Sequence, residues 1–219
     1  MQKYRPFLII ALVLGIAVVG GILLLRSSGR QLFTSPRDVP APQAQSAIPA
    51  QVVVTLEEFG DYQCPPCGQL HPSLKKLKQE LGPNLNFVFR NLPLTTIHKN
   101  SMAAAQAAEA ARMQNRFWEM HDLLYENQDL WGNDINPRTI FLKWATELGL
   151  DASRFASDFD SKQVRFRIEA DQEAAAELSI NGTPTVLVNG RQLRPELTNA
   201  EGIRAAIEYV TSRKASPPP

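Results

Sequence analysis

The chain has 219 residues, of which 44% are hydrophobic and 21% charged, and its formal net charge is +1 at pH 7. These values are ordinary for one globular domain with an added segment, and a charge so near zero excludes a nucleic-acid-binding protein. Two cysteines and three histidines cannot supply a disulfide framework or the four ligands of a structural zinc site, so we expect no metal and no cofactor.

An apolar stretch without charges occupies residues 7–25. At about 1.5 Å per residue it nearly spans a hydrocarbon core of about 30 Å, so we expect residues 1–25 to form a single transmembrane anchor. A cleaved signal peptide is the alternative, but its apolar stretch usually has roughly 7 to 15 residues and ends in a small-x-small site. Here three leucines and Arg26 follow instead. Basic residues flank the stretch almost equally, so charge does not fix its orientation.

Two segments have compositions that cannot bury a core. Residues 26–50 contain four prolines among Gln, Ser and Ala, which predicts an extended linker. Residues 213–219 end in three prolines, which predicts a disordered tail. The folded domain is therefore expected at 51–212.

The domain begins with a strand-helix-strand unit. Valines and aromatic residues predict a strand at 52–59. Leucines at helical spacing predict a helix that ends before Gly82 and Pro83, and a second strand is expected at 86–90.

The remainder is mostly helical before it returns to strands. An insertion at about 99–178 has helical periodicity throughout. A strand, an Asn189-Gly190 turn, a return strand and a closing helix then follow. The expected elements are helices at 102–113, 117–126, 137–148, 152–159 and 163–178, strands at 185–188 and 192–193, and a helix at 198–212. Together they predict an α/β fold with a helical insertion.

The two cysteines, Cys64 and Cys67, are separated by Pro65 and Pro66. Two thiols at this spacing on the first turn of a helix can close a disulfide, and the helix N-terminus stabilises a thiolate. Cys64 is then the nucleophile and Cys67 the resolving thiol. The prolines fit a helix start but offer no N–H to sulfur, so they tune the pair in a direction that the sequence does not give. Two unreactive neighbouring thiols are the alternative.

Three motifs carry a resemblance to a known family. They are EFGDYQCPPC at 58–67, FWEMH at 117–121 and NGTPT at 181–185. Together they resemble the DsbA-like branch of the thioredoxin superfamily, especially its membrane-anchored bacterial members. The resemblance covers roughly residues 52 to 210 and implies a thioredoxin-like fold. It departs from the family at Pro66, where His or an aromatic residue is commoner, and this leaves the redox poise open.

The resemblance also implies roles for three further residues. Glu58 matches a buried acid that moves protons to and from the resolving cysteine; a strand-edge carboxylate is the alternative. Pro184 matches a cis-proline beside the disulfide, and Thr183 presents backbone to the substrate chain. Proline bonds on their own favour the trans form.

The histidines are expected to be secondary. His71 either tunes the site or is solvated or capping, whereas His98 and His121 are expected to pack the insertion.

We therefore expect a disulfide donor that acts on exported proteins through a Cys64 mixed disulfide. It would lie on the extracytoplasmic side of a bacterial membrane, held in the bilayer by residues 7–25 and reoxidised by a quinone-linked membrane oxidase. One alternative is a tethered reductase or isomerase fed by a transmembrane electron donor. Another is a binding or chaperone module that uses the fold without turnover.

Overall fold

A four-stranded sheet organises the part of the chain that the computed structural model describes, residues 53–215. Its spatial order is β2-β1-β3-β4. The central strand β1 is parallel to β2 and antiparallel to β3, and β4 pairs with β3 as a hairpin. The strands are β1 (Val54–Gly60), β2 (Leu85–Asn91), β3 (Thr185–Val188) and β4 (Arg191–Gln192).

Helix α1 (Pro65–Leu81) connects β1 to β2, and α8 (Ala200–Ala215) follows β4. Six helices lie between β2 and β3: α2 (Ser101–Arg112), α3 (Phe117–Glu126), α4 (Gln128–Trp131), α5 (Pro137–Glu147), α6 (Ala152–Phe159) and α7 (Lys162–Glu177). Short 3₁₀ turns occupy Gly82–Asn84 and Pro195–Leu197. The predicted α/β fold with a helical insertion is confirmed.

Alternation along β1 gives the sheet two buried faces. Val54 and Leu56 are buried in a cluster with Leu74 of α1 and Ile203 of α8. Phe59, of opposite parity, packs in a different cluster with apolar residues from α7 and the following loop. Because successive side chains of a strand point to opposite faces, Glu58 points to the same face as Val54 and Leu56, towards α1.

The insertion has its own core, built on the alanine-rich helix α2. Small side chains such as Ala104 and Ala108 let neighbouring helices approach closely, and larger buried ones such as Met120, Phe141 and Phe155 fill the remaining space. This core also includes Tyr62, Cys64 and Cys67. The start of α1 is therefore held between the sheet and the insertion.

Element boundaries differ slightly from expectation. Helix α8 continues to Ala215, three residues beyond the expected end at 212. The one-turn helix α4 was not predicted from the sequence. The expected anchor at 1–25 and linker at 26–50 lie outside the described residues. Among residues 53–215, no helix has both the length and the apolar character needed to span a bilayer.

Candidate active site

The two cysteines lie where β1 passes into α1. Cys64 has extended backbone and is the N-cap of α1, and Pro65 and Pro66 fill its first two helical positions. The Cys64 N–H donates to the Asp61 carbonyl (3.0 Å), and the Cys64 carbonyl accepts from the Gly68 N–H (3.2 Å). Proline costs nothing at these positions, because first-turn N–H groups have no partner within the helix. The Cys64 sulfur is thus placed at the positive end of the helix.

The Cys64 thiol is acidic. Its pKa is lowered to about 6, chiefly by a hydrogen bond from the Cys67 thiol and further by Thr183 and the Cys67 N–H, against the opposing effects of burial and of Asp61. The residue is 5% exposed, so only an edge of the sulfur is open to solvent. At neutral pH Cys64 is therefore mostly thiolate, which is the nucleophilic form of cysteine.

Cys67 has the opposite character. It is fully buried, and burial above all raises its pKa, with the hydrogen bond to Cys64 and the charge of Glu58 acting in the same direction. Both cysteines are free thiols in this structure. A protonated Cys67 that donates to a Cys64 thiolate gives the predicted division into nucleophile and resolving thiol.

Glu58 lies on the central strand, paired with Phe89 of β2 and Val186 of β3. The alternative of a strand-edge carboxylate is therefore wrong. Glu58 is 1% exposed, and its Oε1 has no hydrogen-bond partner. Burial, together with the negative charge of Cys64, raises its pKa to about 8. A carboxyl group with such a pKa can give or take a proton near neutral pH beside Cys67.

The loop before β3 reaches the same point. The Thr183–Pro184 peptide bond is cis, as the family resemblance implied. The Cys64 thiol donates to the Thr183 carbonyl at 3.5 Å, and the buried Thr183 hydroxyl has no other partner. Thr183 and Pro184 also line a groove of about 450 Å³ together with Pro66 and Asn199. An extended peptide placed in this groove would lie next to the reactive sulfur.

Gln128 supports the cysteine loop, a role that the sequence did not suggest. Its Nε2 donates to the carbonyl of Tyr62 (2.7 Å) and to that of Cys64 (3.0 Å). A side chain added at Gly68 would collide with the Gln128 amide. Helix α4 thereby fixes the loop from the insertion side.

Asp61 connects the cysteine loop to the segment after β2. Its Oδ1 accepts from the Gln63 N–H (2.7 Å), and its Oδ2 accepts from the Leu94 N–H (2.8 Å) and lies 2.8 Å from His98 Nδ1. The expectation that His98 packs the insertion is therefore incomplete, because its ring contacts an active-site carboxylate. Asp61 lay within the quoted motif, but its partners are more than thirty positions away and gave no local signal.

Two other expectations concerned His71 and His121. His71 is 4% exposed, so it is not a solvated side chain. His121 is buried as expected, with ring contacts to Tyr62, Phe89 and Tyr125 behind the cysteine loop.

Comparisons with known proteins agree with this site. A family model described as thioredoxin matches residues 50–209. A Na⁺/H⁺ antiporter, NhaA 1 of Salinispora arenicola, is 40% identical over 159 residues, which are 73% of this chain. The chain spans 23% of that relative's length, so the similarity is to a segment of it.

Solved structures show the same fold. A thioredoxin-like oxidoreductase from Silicibacter pomeroyi is 28% identical with a TM-score of 0.62, covering 76% of this chain and 90% of its own. Oxidised BdbD from Bacillus subtilis is 24% identical with a TM-score of 0.63, covering 73% and 88%. The resemblance predicted from the three motifs is confirmed.

Proposed function

Since this chain belongs to the thioredoxin family and is a DsbA-like dithiol–disulfide oxidoreductase, we propose that it donates disulfides to exported proteins outside a bacterial membrane. The observation that carries the proposal is the unequal pair: the pKa of Cys64 is lowered to about 6 while that of buried Cys67 is raised. A stable Cys64 thiolate favours the reduced form of the enzyme, and an enzyme whose reduced form is stabilised is a stronger oxidant.

The reaction begins from the oxidised enzyme, in which Cys64 and Cys67 share a disulfide. A substrate thiolate attacks the Cys64 sulfur, a mixed disulfide forms, and the bond to Cys67 breaks with its electron pair on Cys67. The Glu58 carboxyl, with a pKa of about 8, gives its proton to the departing Cys67 thiolate. A second substrate thiolate then attacks the substrate sulfur of the mixed disulfide and releases Cys64 as a thiolate. The substrate is oxidised by two electrons, and the enzyme is reduced.

Position of the substrate follows from the groove beside Pro184. The Thr183 carbonyl contacts the Cys64 sulfur at 3.5 Å, and the groove runs past Pro66 towards Asn199. A substrate segment laid along this groove would bring its cysteine to the exposed edge of Cys64. Thr183 and Pro184 are proposed as its binding residues, and Pro65 and Pro66 as the residues that tune the redox pair.

Turnover requires an oxidant for the reduced enzyme. We assign this role to a quinone-linked membrane oxidase, and the apolar stretch 7–25 would hold the domain in the bilayer near it. A reductase or isomerase would instead require a transmembrane electron donor, and a binding module would require neither.

Mixed-disulfide trapping tests the proposal. The full chain with Cys67→Ala is expressed in bacteria, free thiols are quenched with acid and alkylated, and adducts are separated on non-reducing gels. We expect adducts to exported proteins that disappear on reduction and in Cys64→Ser/Cys67→Ala. Absence of adducts would contradict donation, and adducts confined to cytoplasmic proteins would contradict the proposed location.

A further inference from the structure

A second cavity lies on the side of α1 that faces α3, and it has a volume of about 360 Å³. It shares no lining residue with the groove beside Pro184. His71 of α1, one turn beyond Cys67, and His121 and Asp122 of α3 line its wall. The disulfide chemistry described above uses none of these three side chains.

The three side chains converge on one point. A ring nitrogen of His71, a ring nitrogen of His121 and a carboxylate oxygen of Asp122 all lie within 4.8 Å of one another. His71 Nε2 lies 3.4 Å from Asp122 Oδ1 and 3.9 Å from Glu126 Oε1. This nitrogen is buried and makes no hydrogen bond. A buried polar atom without a partner is uncommon and calls for a bound group.

His121 has the support that a metal ligand usually has. Its Nδ1 lies 3.0 Å from the Tyr62 hydroxyl, and both side chains are buried. Metal-binding histidines almost always use one ring nitrogen for such a hydrogen bond, which fixes the ring and frees the other nitrogen for the ion. Tyr62 therefore orients His121 as an outer partner would.

Charge and protonation favour a cation here. Burial lowers the pKa of His71, against the attraction of Asp122 and Glu126, and lowers that of His121 further. Both rings are therefore neutral at pH 7, with lone pairs available. The carboxylates of Asp122 and Glu126 face the cluster, and Lys75 Nζ bridges them at 2.8 and 2.7 Å. The other nearby cation, Lys78, lies over the Trp118 ring at 3.4 Å.

We propose that His71, His121 and Asp122 bind a divalent transition metal ion of the zinc class, with Glu126 as a further oxygen ligand. Two imidazoles with carboxylate oxygen form a donor set typical of zinc. Ligands of a tetrahedral zinc ion lie roughly 3.3 Å apart, so the side chains close by about 1 Å on binding. Lys75, which is 36% exposed, swings into solvent and gives its carboxylates to the ion. The sequence alone gave no sign of this site, because His71 and His121 are fifty residues apart.

Titration of the full chain with zinc chloride tests this site. The protein is first stripped with a chelator and oxidised, so that the Cys64–Cys67 disulfide leaves no thiol to bind the metal. Calorimetry should show one zinc ion per chain, and cobalt(II) should give the visible absorption bands of a four- or five-coordinate site. Absence of saturable binding would overturn the proposal, as would binding that occurs in the reduced protein alone.

Variants assign the ligands. His71→Asn and Asp122→Asn should each weaken zinc binding at least tenfold, whereas Asp129→Asn, at an exposed aspartate outside the cluster, should change it less than twofold. Lys75→Met should strengthen binding several-fold, because it removes the competing cation. Asp122 and Lys75 are partly exposed, so these two variants remain informative if His71→Asn does not fold. Unchanged affinity in both Asp122→Asn and Lys75→Met would contradict the assignment.

Discussion

The Cys64 thiol lies 3.5 Å from the carbonyl oxygen of Thr183, so the start of α1 and the loop before β3 form one reactive surface. The same threonine holds a buried hydroxyl with no other partner, which lowers the pKa of Cys64. One residue thus contributes to the charge state of the nucleophile and to the wall of the substrate groove.

We predict that the Cys64 thiol of the reduced protein ionises with a pKa of about 6. Thiolate absorbance at 240 nm, followed against pH, measures this directly. Thr183→Val should raise the pKa because it removes the hydroxyl donor, whereas Thr183→Ser keeps the hydroxyl and should remain near the wild-type value. A wild-type midpoint close to the ordinary cysteine value of about 8.5 would show that the neighbouring donors do not act on Cys64.

Cys67 should be the strongest single influence on that pKa. Its thiol supplies the largest of the effects that lower the pKa of Cys64, and Cys67→Ala removes this donor while leaving the backbone N–H. We expect the Cys64 pKa to rise in Cys67→Ala and to rise less in Cys67→Ser, whose hydroxyl can still donate. The rate of iodoacetamide alkylation against pH gives both values. Equal pKa values in the two variants would argue against the side-chain hydrogen bond.

Glu58 should make the stability of the reduced protein depend on pH. In the unfolded chain it ionises near pH 4.5, and in the folded protein at about 8. Unfolding therefore releases a proton between these values, and the free energy of unfolding falls as pH rises, by up to about 1.4 kcal/mol per pH unit. Glu58→Gln should lack this fall and become the more stable protein at pH 8.

Urea denaturation of the reduced protein at pH 5, 6, 7 and 8 measures the effect. Glu173→Gln is the control, since Glu173 is an exposed glutamate of α7 and should keep the wild-type slope. Parallel pH profiles for wild type and Glu58→Gln would show that Glu58 titrates normally in the folded protein.

Gln128 should stabilise the cysteine loop. Gln128→Ala leaves the carbonyls of Tyr62 and Cys64 without this donor, and an unsatisfied buried acceptor costs about 1–3 kcal/mol. Thermal or urea unfolding should show a loss in that range. Gln163→Ala, at an exposed position of α7, should have little effect. A Gln128→Ala protein as stable as wild type would mean that water replaces the amide.

The sequence predicted those parts of the molecule that depend on nearby residues. Strand β1, the start of α1 at Pro65 and the different roles of Cys64 and Cys67 follow from local patterns and from the chemistry of a helix N-terminus. The family resemblance added Glu58, Thr183 and Pro184.

Contacts between distant segments were not predictable in this way. Gln128 reaches Cys64 across 64 positions, and Asp61 meets His98 across 37. Neither pair has a periodicity or a spacing that a sequence pattern records, because tertiary packing alone brings them together. The short helix α4 has four residues, too few to show helical periodicity.

The redox equilibrium of the dithiol pair tests disulfide donation most directly. The protein is equilibrated with graded ratios of reduced and oxidised glutathione, and the fraction of Cys64–Cys67 disulfide is measured after acid quenching. The stabilised Cys64 thiolate predicts a potential in the range of strong oxidants, roughly −120 to −180 mV. A value near that of thioredoxin, roughly −270 mV, would contradict donation and indicate a reductase.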